Sequence, residues 1–279
     1  MMLPSPMTGR GAVRCGLAMM LLWLAGAAAE AACTAVAGLP LPYTPAAVGA
    51  GMVPPGHVGI RFLGHASFLI ASPGGVSIVT DYNAYTRPDD LPDIVTMNHA
   101  HSSHYTELPD PGIKLVLRGW NTGNGVADYD ITFGDVRVRN VPTNIRDNGA
   151  LRGDGGTEYG GNSIFVFDVA ELCIAHLGHL HHTLTPQHLA QLGPIDVLFA
   201  PVDGTWTLGH DDLIEVIEQI RPALVIPMHY FSGRILETFL AKTAERYRVR
   251  RNDGSSVVLA REELPKRTEI LVVPAVSPY

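Results

Sequence analysis

From residue 58 onward, short apolar runs are cut by Gly, Pro and Asn-Gly punctuation, the pattern of strands separated by turns. Strands are predicted at 58–63, 66–71, 76–81, 93–98, 113–118, 130–134, 136–142, 162–168 and 172–177. Helices then enter. Thr185 and Pro186 supply an N-cap and a first helical residue for a helix over 186–192. A strand at 195–201 follows, then a helix over 211–220 behind Asp211 and Asp212, a strand at 223–228, a helix over 233–246 and a last strand at 268–273. No repeat of solenoid period is visible. Many strands with helices after them predict sheets covered by helices, a layered α/β sandwich.

The N-terminus has a different texture. Arg10 and Arg14 precede the uncharged run Cys15 to Ala29, which Glu30 and Ala31 close. A positive flank, an apolar stretch and a small-residue exit describe a secretory signal peptide over 1–31, cleaved after Ala29 or Ala31. The run is short of the roughly 20 residues that a membrane span needs, so no stable span is expected once the leader is removed. A retained anchor is the alternative. A lipoprotein built on Cys33 is disfavoured, because Glu30 stands where a lipobox wants a Leu-like residue. Residues 32–56, rich in Ala, Gly and Pro, read as a linker or wrap, and 57–279 as one domain. The expected destination is the periplasm or the exterior. Cys173, inside the apolar run LCIAHLG, reads as a small buried hydrophobe, so no structural disulfide is expected.

Composition narrows the function. With 46% hydrophobic and 17% charged residues the chain is neither disordered nor a coiled coil. Without the leader, 18 basic residues face 26 acidic ones, a net charge of −8. That balance argues against a nucleic-acid partner, leaving a small molecule as the expected one. Oligomeric state is left open. Twelve His beside three Cys is the count that stands out.

The histidines fall at strand ends. In DIVTMNHAHSSHYTEL an apolar strand runs into His99, His101 and His104. Alternate residues of an extended segment face one way, so His99 and His101 can aim at one point, and a turn at Ser102-Ser103 can return His104 to it. His179 ends LCIAHLGH and His229 ends ALVIPMH. Ligands of open α/β sheets gather beyond the carboxyl ends of strands, so five histidines at three strand ends predict one metal pocket.

These segments resemble the metallo-β-lactamase superfamily of metal-dependent hydrolases, and most of all its ascorbate-phosphate lactonase-like branch. GHASFLI (64–70), IVTDY (78–82), HAHSSH (99–104), NVPT (140–143), GGNSIFVF (160–167), AHLGHL (175–180), APVDG (200–204) and VIPMHY (225–230) follow in family order. The resemblance implies a four-layer αββα sandwich with metal at one edge of the sheets. It also implies attack of metal-bound hydroxide on a small-molecule ester or lactone bond. Three ligand positions depart from the family pattern. Ser103 stands where an Asp is usual, Asn144-Ile145 where a His is usual, and His179 where a bridging Asp is usual.

With both Asp positions gone, two dications would repel with little compensation. One divalent ion is therefore expected, held by three to five of His99, His101, His104, His179 and His229. Zinc is the default, with iron, manganese or copper also suited to imidazole. Asp81 and His179 are the candidate catalytic residues, Asp81 with a strand-end cap as its alternative role. His65 is a candidate for the pocket rim or for orienting a ligand, with a structural histidine as its alternative, and Tyr230 for a hydrogen bond to substrate or for packing. A metal- or ligand-binding protein that has lost hydrolysis, or an iron or copper redox site, are the competing functions.

Overall fold

The computed structural model describes residues 1–2, 53–123, 125–146 and 156–276. The expected leader and nearly all of the wrap lie outside them. Among the described residues one sheet contains β1 (His57–Gly64), β2 (Ser67–Ala71), β3 (Ser77–Val79), β4 (Ile94–Met97), β5 (Leu115–Arg118) and β13 (Ser256–Ala260). Its order is β13-β1-β2-β3-β4-β5. The other contains β6 (Asp130–Phe133), β7 (Val136–Arg146), β8 (Thr157–Val169), β9 (Leu172–His176), β10 (Val197–Pro201), β11 (Leu224–Met228), β12 (Arg248–Arg251) and β14 (Glu269–Val272). Its order is β12-β14-β11-β10-β9-β8-β7-β6. Helices α1 (Pro186–Leu192), α2 (His210–Ile220) and α3 (Gly233–Thr243) follow β9, β10 and β11. The result is the α/β sandwich that the alternating pattern predicts. No helix among the described residues is long and apolar enough to cross a membrane.

Residue pattern explains the layers. β10 (VLFAP) and β11 (LVIPM) are apolar and buried at every position, as parallel strands covered on both faces must be. Helix α2 turns Leu213, Ile214, Val216 and Ile217 inward at helical spacing, with Asp211 and Asp212 at its positive N-terminal end. The sheets meet through aromatic rings. Phe68 of β2 stacks on Phe199 of β10 at 4.0 Å and on Phe62 of β1 at 4.6 Å. Each such pair contributes about 0.5–1.5 kcal/mol beyond the area it buries.

Four details depart from the sequence expectations. β7 and β8 run on to Arg146 and back from Thr157, past the predicted ends, as a polar ribbon with a register shift between Thr143 and Ile145. β12 (RVRR) is an edge strand without apolar alternation, and β13 caps the far edge of β1; neither was predicted. Helix α3 stops at Thr243 rather than 246. Cys173 is disulfide-bonded, which overturns its reading as a free buried thiol; its partner lies outside the described residues.

The topology fixes where chemistry collects. Strands β3 and β4 of one sheet are parallel, as are β9, β10 and β11 of the other. Residues beyond their carboxyl ends are Asp81, His99 to His104, His179, Asp203 and His229. Gly178 makes the sharp turn into His179 at φ +61°, and a Cβ there would lie 2.4 Å from Asn98 Nδ2 and 2.5 Å from Asn162 Oδ1. Gly178→Ala is therefore expected to cost about 2–4 kcal/mol, combining left-handed strain with overpacking. Thermal melting checks this; an unchanged Tm contradicts it.

Candidate metal centre

Two buried carboxylates organise the site. Asp81 Oδ2 lies 2.6 Å from His104 Nδ1, and Asp203 Oδ1 lies 3.1 Å from His229 Nδ1. A carboxylate only accepts, so both Nδ1 atoms carry the proton and both Nε2 atoms present a lone pair. Those Nε2 atoms stand 3.2 Å apart, and His179 Nδ1 stands 3.0 Å from His104 Nε2. Lone pairs facing at that distance repel unless a cation lies between them. Nitrogens bound at about 2.0–2.1 Å to one ion are roughly 3.3 Å apart in a tetrahedron and roughly 2.9 Å apart at right angles. The observed spacing falls between, so the donor set fits a divalent metal.

Further imidazoles surround this centre. One ring nitrogen each from His65, His104 and His229 lie within 4.8 Å of one another. The His65 ring is 4.3 Å from that of His229 and 5.2 Å from that of His104. His99 donates from Nδ1 to the Gly161 carbonyl at 2.8 Å, leaving Nε2 as an acceptor, and its ring lies 5.2 Å from His179. His101 is exposed, with its ring 6.2 Å from His104 and 6.4 Å from His179. Ser103 Oγ is 2.8 Å from His101 Nδ1, so position 103 steadies a histidine. All five histidines named from the sequence thus share one cluster, with His65 inside it rather than at its rim.

The supports are equally specific. Asp81 Oδ1 accepts the Asn98 amide at 3.0 Å while Oδ2 holds His104. Both oxygens are engaged, and Asp81 positions His104. Asp203 Oδ2 accepts the backbone amides of Thr205, Trp206 and Thr207, and Oδ1 takes the Thr207 hydroxyl. His179 is held through its own amide on Asn162 Oδ1 at 2.8 Å. His176 is buried between the Ala66 carbonyl and Asn98 and serves packing. Tyr230 is buried, with its ring 6.1 Å from that of Phe62. Asp203 went unassigned in the sequence, although it ends β10, the strand between two that end in site histidines.

Backbone strain gathers here. His65 (φ 52°), Asp81 (φ 44°) and His229 (φ 56°) are left-handed non-glycine residues, each costing about 1 kcal/mol or more. The His229 amide donates to the His65 carbonyl at 2.6 Å, tying two of these bends together.

Burial sets the charge states. Desolvation, helped by His229, lowers the His65 pKa to about 3, and it also lowers His99, His104 and His179. Desolvation raises Asp81 to about 6, with His176 and the Asn98 amide pulling the other way, so it is ionised at neutral pH. For Asp203 burial pushes up, but the hydrogen bonds from His229, Thr207 and Thr205 outweigh it and hold the carboxyl low. His65, His99, His104 and His179 are therefore neutral at pH 7, and the acids Asp81 and Asp203 are charged.

Comparison with known proteins agrees with this chemistry. The family model for the β-lactamase superfamily domain matches residues 59–229. A UPF0173 metal-dependent hydrolase of Carboxydothermus hydrogenoformans is 26% identical over 193 residues, covering 61% of this chain and 84% of that protein. One from Pyrococcus horikoshii is 27% identical over 193 residues, covering 62% and 84%. A Thermotoga maritima structure, assigned as a Zn-dependent hydrolase of the metallo-β-lactamase superfamily, is 29% identical. It covers 77% of this chain and 98% of that one with a TM-score of 0.55.

Two expectations follow. Asp81→Asn and Asp203→Asn are each expected to weaken zinc binding about 10- to 100-fold by freeing the ligand's tautomer. Competition with a chromophoric chelator measures this, and wild-type affinity in both variants contradicts it. In metal-free protein the lowered histidines make the unfolded chain bind more protons below pH 6.5, so stability must fall as pH drops from there toward about 3. Asp81, raised to about 6, opposes this over part of the range but is outnumbered. Melting in chelator at pH 7, 5.5 and 4.5 tests the sign; a rising Tm on acidification contradicts it.

Proposed function

Because the chain belongs to the β-lactamase superfamily, we propose that it is an exported metal-dependent hydrolase of a small-molecule ester or lactone-type bond. The observation that carries this is the pair of proton-locked imidazoles, His104 and His229, whose Nε2 lone pairs meet at 3.2 Å. Relatives named metal-dependent hydrolases support the activity. The sequence likeness to the ascorbate-phosphate lactonase-like branch supports the bond type. The leader-like N-terminus supports export, and so does a disulfide at Cys173, since disulfides persist in oxidising compartments.

One ion is placed at His104 and His229, with His179 and His65 as the adjoining ligands; zinc is the default. Such an ion supplies Lewis acidity and activates a water at neutral pH. The chain's own residues do the rest. Asp81 and Asp203 fix which nitrogen His104 and His229 offer, Asn162 holds His179 in place, and burial keeps His65, His99, His104 and His179 neutral. His99 is half-buried and His101 exposed beside this centre. A second ion held by His99 and His101 would have imidazoles and no carboxylate to offset its charge, which favours a single ion.

Purified protein assayed on ester, lactone, phosphoester and β-lactam panels is expected to hydrolyse an ester or lactone. Chelation and His104→Ala are each expected to lower that rate at least 100-fold, with zinc restoring the chelated wild type. Equal slow rates in wild type and His104→Ala contradict the hydrolase reading. A coloured iron or copper centre without hydrolysis would favour the redox alternative.

A further inference from the structure

His181 follows His179 by two residues, and its nitrogens are used the other way round. Its Nδ1 accepts the backbone amide of Arg146 at 2.9 Å. An imidazole nitrogen that accepts an N–H bears no proton, so in the neutral ring the hydrogen sits on Nε2. In His104 and His229, by contrast, Nδ1 carries the proton and Nε2 the lone pair. The His181 Nε2 is buried with no hydrogen-bond partner, and the ring lies 4.9 Å from that of His179. A buried donor left unsatisfied costs about 1–3 kcal/mol, so its retention at a site edge calls for a partner that arrives with a ligand.

The arrangement replaces what the strand end lacks. The resemblance implies a histidine near Asn144-Ile145, where this chain has none. Here β7 runs through that point with its register shift, and two imidazoles cap its amides: His181 takes Arg146 and His182 Nε2 takes Asn144 at 3.1 Å. The Arg146 guanidinium also reaches the Thr207 carbonyl at 2.9 Å, in the loop that Asp203 holds. The ring of His181 is thereby oriented through Nδ1, and that committed Nδ1 prevents Nε2 from serving as a neutral ligand.

We infer that His181 is a catalytic hydrogen-bond donor, presenting Nε2–H to the carbonyl or leaving oxygen of the substrate beside the metal. This rests on the hydrolase reading above. In that role it stabilises negative charge on oxygen as the bond is attacked and leaves metal binding untouched.

Two measurements test it. Two-bond proton–nitrogen correlation spectra of metal-free and zinc-loaded protein should both report His181 with its proton on Nε2. A zinc-coordinated Nε2 would overturn the inference. On an ester that the wild type hydrolyses, His181→Phe should keep wild-type zinc content and KM within about threefold while kcat falls about 100-fold. Unchanged kcat, or loss of zinc, would overturn it. Should His181→Phe fail to fold, His181→Gln serves, because its amide can accept from Arg146 and still donate; it should retain more kcat than His181→Leu, and equal rates would contradict the donor. If the wild type hydrolyses nothing, the hydrolase reading fails on its own, and the spectra still judge the donor.

Discussion

A buried carboxylate against the back of an imidazole is the constraint on which this site depends. Asp81 and Asp203 decide that His104 and His229 offer Nε2 to the same point, and an ion at that point is what makes the approach of two lone pairs favourable. The resemblance suggested that this chain had exchanged carboxylate ligands for neutral ones. The structure sharpens that statement. Negative charge is still present, one layer out, where it sets tautomers and balances a cation without touching it.

The fold supplies this geometry by converging parallel strand ends from two sheets. Phe62, Phe68 and Phe199 stack the sheets together, and the row of termini at Asp81, His104, His179, Asp203 and His229 falls along their common edge. Holding so many groups in one place bends the backbone. Three left-handed residues and the crowded Gly178 turn are stabilised by the surrounding hydrogen bonds and packing, so the strain is concentrated where orientation matters.

Most of the architecture was legible because apolar runs broken by Gly and Pro mark strands whatever their partners. β12 was hidden by its arginines, and the ends of β7 and β8 by polar residues whose pairing is visible only in the sheet. The histidine cluster could be read from spacing at strand ends. The roles within it could not, because they depend on which nitrogen meets which partner. Asp203 looks like any loop acid in APVDG until its strand is found between β9 and β11. The role of His181, in the His-rich run HLHH, shows only once the Arg146 amide is seen to occupy one side of its ring. The disulfide at Cys173 had no local signature at all, since burial of a small apolar side chain and burial of a half-cystine read alike.

X-ray absorption at the edge of the metal bound by purified protein tests the central claim most directly. The expected result is one ion per chain, with a first shell of nitrogen and oxygen alone and the outer-shell scattering of at least three imidazoles. A metal–metal distance, a shell dominated by carboxylate, or protein that takes up no ion would contradict it.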